Sequence, residues 1–447
     1  MQILIILALS GLMHAARSFL LGTAASSAGV ALSFGYLLLT AFFTGELFKR
    51  VGLPKLSGYL ATGIVVGPEV LGLVSSWAVS NLGIVTGAAI ALIALTAGTE
   101  LELRKMRPLM RSIAWLTLVA VGGTTLLLSG VVYAARSWLT FMTGLTTPQA
   151  LAVSAVLGVV MVAQSPAVVV ALRDEVDADG PLARTVLGVV VIADLVVILM
   201  FTLVSVVAKS IFGGRADVST TSAAVAWEIF GSLGAGLLIG GVLALFLRKV
   251  RASASLFVLT VCFVVAEVGR RIHLDPLLVA LSAGMLVRNA TRHGDELHAS
   301  IEAAALPVYV VFFAVAGAAI RLRVFGVVGG AALLFVLTRA LGLLAGGYLG
   351  ARLAGAPEVV RRYVGFGLLP QAGLALALSL LFARSFPEFG ADAGALTLAV
   401  VALNEILAPA LYRTALIRSG EGTRDPVALP SQPPPHGPPS PEHVDST

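Results

Sequence analysis

The stretch Val189-Val190-Val191-Ile192-Ala193-Asp194-Leu195-Val196-Val197-Ile198-Leu199-Met200 sets one carboxylate in the middle of an apolar run. The run extends from about Pro181 to about Lys209. At about 1.5 Å per residue, a helix of that length crosses a bilayer with Asp194 near its centre. An aspartate at that depth costs roughly 2.5–3.5 kcal/mol on insertion scales, so Asp194 is expected to line a protein-enclosed, hydrated cavity, and such acids mark ion or proton pathways. The plainer use, pinning a neighbouring helix by hydrogen bonds, stays open at this point.

The rest of the chain has the same character. Of 447 residues, 58% are hydrophobic and 12% charged, against roughly 25% charged in a soluble domain. The apolar stretches run unbroken for about twenty residues, whereas a β-barrel needs short segments of alternating polarity. The fold class read from this pattern is an all-α polytopic membrane protein with about 13–14 transmembrane helices. The net charge of +6 does not mark a nucleic-acid partner, because the basic residues sit in short loops beside apolar segments, where they set topology. Cys262 is the single cysteine, so neither a disulfide within the chain nor a cysteine metal cluster is expected. The six histidines lack metal-ligand spacing, and there is no HExxH motif. No nucleophile, base and orienter share one layer of the membrane. The expectation is a protein that is not an enzyme and needs no cofactor.

Along the chain, residues 1–27 read as a signal-like segment or an extra first helix. Residues 28–418 form the membrane domain, and residues 419–447, with Pro433, Pro434, Pro435, Pro438, Pro439 and Pro441, read as a disordered cytoplasmic tail. One set of alternate loops carries Lys49, Arg50, Lys55, Arg104, Lys105, Arg107, Arg248, Lys249, Arg361 and Arg362, and the other is poor in basic residues. The basic set is assigned to the cytoplasm, with the C-terminus, in a cell (inner) membrane. A linker helix at 223–247 separates two six-segment groups, about 28–209 and 252–413, which begin on opposite sides and so read as inverted repeats. A weak echo between GYLATGIVVG (58–67) and LLVALSAGMLVR (277–288) supports this.

Two helices carry breaks at matching positions. Gln164-Ser165-Pro166 interrupts the segment before Asp194, and Pro370-Gln371 interrupts its counterpart in the second group. Proline removes a backbone donor and clashes with the preceding turn, and paired breaks at matching places of inverted repeats point to a midplane ion site. Two further charges, Arg339 and Glu405, also fall near mid-membrane. Their simplest use is mutual neutralisation, and the sharper alternative has Arg339 facing Asp194. Asp275 reads as a solvated or capping residue at a segment end, and Glu267 as a weaker pathway candidate.

GYLATGIVVGPEVLGL, ALTAGTELELRKM, SPAVVVALRDE, VVIADLVVILMF and LLPQAGLALALSL follow one another in this order. In this the chain resembles the monovalent cation:proton antiporter-2 family, which includes sodium/proton exchangers and Kef-type relatives. The resemblance covers about Ala31 to Arg413. It implies two inverted six-helix repeats with crossed broken helices, a dimerisation domain, a homodimer and elevator-like alternating access. It implies that Asp194 is the ion-carrying acid, with Gln164, Ser165 and Pro166 in the first broken helix and Pro370 and Gln371 in the second. Ala193 departs from the polar residue usual before that acid, and Arg339 resembles the electroneutral exchangers. The expected function is exchange of one proton for one monovalent cation, Na⁺ or K⁺, at Asp194. The alternatives are a proton- or sodium-coupled organic solute symporter, a cation channel, or a sensor.

Overall fold

The computed structural model describes residues 2–19, 27–212, 226–250, 254–272, 274–320, 322, 325–371, 374–375, 378–379, 382, 386 and 390–423. Among them there is helix and turn but no strand. Each described segment read from the sequence contains a helix, though the one expected over 56–73 ends at Val66 and continues as turn. In the first group these are α1 (Gln2–Phe19), α2 (Ser27–Arg50), α3 (Lys55–Val66), α4 (Gly83–Glu100) and α5 (Arg107–Ala134). The break separates α6 (Thr147–Val162) from α7 (Pro166–Glu175), and α8 (Pro181–Ile211) carries Asp194. After α9 (Ser232–Lys249) come α10 (Ala254–Ile272), α11 (Pro276–Ala290), α12 (Gly294–Ala319) and α13 (Phe325–Leu353). Then follow α14 (Glu358–Gly367), the second break and α15 (Gly390–Arg418).

Seven described spans are long and apolar enough to cross a membrane, one of them α6 and α7 taken together across their break, and α12, bent by 56° before Pro307, adds an eighth if its two parts form one span. Several remaining segments are apolar helices of 10–17 residues. Such helices fall below the roughly twenty residues of a straight span, and they are sustained by neighbouring protein.

The helices sort into two packed groups. One holds α2, α3, α4, α9, α10, α11 and α12; the other holds α5, α6, α7, α8, α13, α14 and α15. The larger contacts between the groups run from α7 and α15 to α3 and α4. Exchanging the first six-segment group for the second maps several of the helix pairs onto one another. The α3 and α12 pair becomes α11 and α4, α5 and α6 become α13 and α14, and α8 against α14 becomes α15 against α6. The echo between segments has its cause here. A Cβ on Gly63 would collide with the backbone of Ala314 and Ala318 in α12, and one on Gly284 with Leu95, Gly98 and Thr99 in α4. Each repeat therefore keeps a glycine where two helix backbones touch.

At the N-terminus α1 packs on α2, with Ser10 Oγ 3.0 Å from the Tyr36 hydroxyl. The start of the expected linker helix, residues 223–225, lies outside the described residues. The tail differs from expectation at its beginning. Glu421 accepts hydrogen bonds from Leu182 N (2.7 Å) and Ala183 N (2.8 Å), and Thr423 N donates to Val176 O (2.8 Å). The cause is the start of α8, where Gly180 offers no side-chain cap and the first amides need an acceptor. Residues 424–447 lie outside the described residues.

Candidate functional site

The first break follows from local chemistry. Ala163 (φ −49°, ψ 144°) leaves the helix, and Ser165 (φ −133°, ψ 101°) caps α7 by accepting from Val168 N at 3.3 Å, with Pro166 at the first helical position. Proline has no amide to lose there and its fixed φ suits a helix start. The chain thus ends one helix and begins another within three residues, inside the protein. Gln164, between them, is 1% exposed, and neither its amide oxygen nor its amide nitrogen has a partner among the described residues. The same holds for Asp194 Oδ1, on a residue 3% exposed.

Gln164, Ser165, Pro166 and Asp194 line one cavity of about 220 Å³. Asp275, Pro276, Leu277 and Leu278 from the start of α11 close it on the other side, with Phe312 and Leu374 nearby. The carboxylates and the amide oxygen of this cavity are hard oxygen donors of the kind that suits alkali cations, and its described lining holds no histidine, cysteine or methionine. The amino end of α7 opens towards the same space, and its partial positive charge favours an anionic side chain there.

The second break is built in the opposite sense. Arg339, 0% exposed on α13, donates through Nε to Met161 O (2.8 Å). Its Nη1 donates to Leu369 O (2.7 Å) and Asn404 Oδ1 (3.5 Å), and its Nη2 to Ala163 O (3.0 Å) and Leu368 O (3.4 Å). Four of these acceptors are carbonyls at the carboxyl ends of α6 and α14, left over where the two helices stop. Gln371 Nε2 adds a bond to Met161 O (3.0 Å), and Asn404 Nδ2 donates to Gln371 Oε1 (3.0 Å). The two breaks therefore meet at one guanidinium, whose five N–H donors match the acceptors around it.

This corrects the expected charge compensation. Arg339 pairs with neither Glu405 nor Asp194; two helix carboxyl ends, each carrying partial negative charge, take the place of a counter-ion. Glu405 lies in a small crevice beside Pro370, Gln371 and Asn404, without a hydrogen bond to another described residue. Glu267 pairs with Arg271 at 3.0 Å and is absent from the cavity lining. Asp275 does cap α11, as its position in the sequence implies, but it also faces Asp194 across the cavity, which the sequence reading missed. The available signal was Ala193: with no polar neighbour beside Asp194, further oxygen atoms must come from another helix.

A second pocket, of about 170 Å³, is lined by Thr99, Glu102, Arg173, Asp179, Arg184 and Arg288 among others, and Asp194 and Gln164 are not part of it. There Arg288 pairs with Glu102 (3.3 Å) and with Asp295, and Arg184 with Asp179 (2.7 Å). The buried acid thus opens to one cavity, while a charged pocket lies among the basic loops.

By class this is a multi-pass helical membrane transporter rather than an enzyme. The chain belongs to the sodium/hydrogen exchanger family, whose transmembrane domain matches residues 37–416. It is 27% identical over 355 residues to the Na⁺/H⁺-K⁺ antiporter GerN of Bacillus cereus, covering 77% of this chain and 85% of that relative. It is 26% identical to the probable Na⁺/H⁺ antiporter GerT of the same organism, covering 77% of this chain and 88% of GerT. Its fold matches the sodium proton antiporter MjNhaP1 of Methanocaldococcus jannaschii with a TM-score of 0.71 at 14% identity, over 88% of this chain and 98% of that one.

Proposed function

We propose that this protein exchanges a monovalent cation, Na⁺ or K⁺, for H⁺, with Asp194 as the site that the two share. The observation that carries the reading is Asp194 beside the unpartnered Gln164 amide, at a helix break, in a cavity whose described lining has oxygen donors and no basic side chain. Asp194 holds either a proton or a partly dehydrated cation, with Gln164 and Ser165 as neighbouring oxygen donors. A neutralised site moves through the low-dielectric protein at far lower cost than a bare carboxylate. The names of the relatives, Na⁺/H⁺ antiporters, support the same pair of ions.

Arg339 stays charged and cannot shuttle protons. One carboxylate then carries one charge in each direction, so the exchange is electroneutral. The cavity on one side and the separate charged pocket on the other favour alternating access, with the group bearing α6, α7 and α8 moving against the group bearing α4 and α11. The working form is a homodimer in the cell membrane with its C-terminus in the cytoplasm.

The test is dequenching of a trapped pH dye in proteoliposomes on adding Na⁺, K⁺ or Li⁺. Cation-driven proton movement that persists with the voltage clamped is the expected result. No response to any cation, from vesicles containing folded protein, contradicts the reading and moves a solute symporter to the front.

A further inference from the structure

We infer that Asp275 is a second cation-attracting carboxylate, which serves the ion only while Asp194 faces this cavity. The inference rests on the reading of Asp194 as the exchange site. Among the described residues lining the cavity, Asp194 and Asp275 are the only ionisable ones, so this lining offers two acids and no compensating base. A low-dielectric cleft lined by charge of one sign concentrates ions of the other.

Asp275 is held firmly. Its Oδ1 accepts from Leu277 N (2.7 Å) and Leu278 N (3.2 Å), its own N–H donates to Ser232 Oγ (2.8 Å), and Leu274 N donates to Gly269 O (2.9 Å). The cap occupies one carboxylate oxygen, and the other makes no hydrogen bond with a described residue. The half-buried side chain therefore faces the cavity with its charge available. Independent of the two acids, the buried and unpartnered Gln164 amide lines the same space and calls for a ligand there.

The two acids come from different packed groups, since Asp194 is on α8 and Asp275 begins α11. A motion of one group against the other separates them. Asp275 then acts on cation capture from one side of the membrane and has no part in release on the other. It also stands in for the polar neighbour that Ala193 cannot provide.

The experiment uses Asp275→Asn in oriented proteoliposomes, with Na⁺ or K⁺ titrated on each side in turn. Asparagine keeps the helix cap and removes the charge. The expected result is a rise of roughly 3- to 10-fold in the half-saturating cation concentration on the cavity side, none on the other side, and a much smaller change in maximal rate. Asp275→Ser, also a good cap, is expected to give the same one-sided shift and serves if the asparagine variant does not fold. An unmoved half-saturation in either folded variant overturns the role of Asp275, as does an equal shift on both sides. Impaired Asp275→Ala with normal Asp275→Asn marks a structural cap alone. A wild-type protein without any cation response overturns the antiporter reading itself, a different failure from wild-type exchange that is indifferent to the charge at 275.

Discussion

The two helix breaks are alike in sequence and opposite in chemistry. Each sets a proline within two residues of a glutamine, yet Gln164 has no partner for either amide atom among the described residues, whereas Gln371 bonds to Met161 O and to Asn404. The difference arises from where the helix ends point. The carboxyl ends of α6 and α14 converge on Arg339, which satisfies their carbonyls, while the amino end of α7 opens to the cavity shared with Asp194. The carbonyls of both breaks are closed on Arg339; only the glutamine of the first break is left unsatisfied, the pattern expected where a transient ligand completes the coordination.

Substitutions can break this contrast at either end. The largest effect is expected from Asp194→Asn, which should lower exchange by at least about 100-fold, the scale for losing an essential proton-transfer group, without loss of folding as judged by thermal unfolding in detergent. Arg339→Met leaves carbonyls from two helix ends without a donor and should cost about 3–5 kcal/mol of stability, read as a steep fall in unfolding temperature or in monodisperse yield. Gln371→Leu removes two buried hydrogen bonds and should cost about 1–3 kcal/mol by the same assay. Its counterpart Gln164→Leu removes an unpartnered group, so stability should hold or rise while apparent cation affinity falls. Glu405→Gln should leave exchange intact. A Gln164→Leu protein as destabilised as Gln371→Leu would erase the distinction between the breaks.

The fold was largely legible because bilayer crossing imposes long apolar runs, and the repeat was legible because tight crossings impose glycine. Gly63 and Gly284 stand at equivalent places in the two echoing segments for that reason. Asp194 and the two breaks were legible because a charge or a proline at membrane depth is conspicuous. The partner of Arg339 was not, because its acceptors are backbone carbonyls, which no side-chain pattern reveals. The depth of Asp275 was hidden in a similar way. Leu274-Asp275-Pro276 announces a helix start, and helix starts are ordinarily superficial, but this one lies in the cavity wall. The ordering of residues 419–423 depended on Glu421 finding uncapped amides far away in sequence, at the start of α8.

The central claim is that cation and proton compete for one carboxylate at the open break. It is tested most directly by proton release when Na⁺ or K⁺ is added to purified protein in weakly buffered detergent solution across a range of pH. The account predicts about one proton released per chain at saturating cation, as one shared carboxylate requires, with release abolished in Asp194→Asn and retained in Glu405→Gln. Undiminished release from folded Asp194→Asn, or cation binding to the wild type without proton release at any pH, would contradict it.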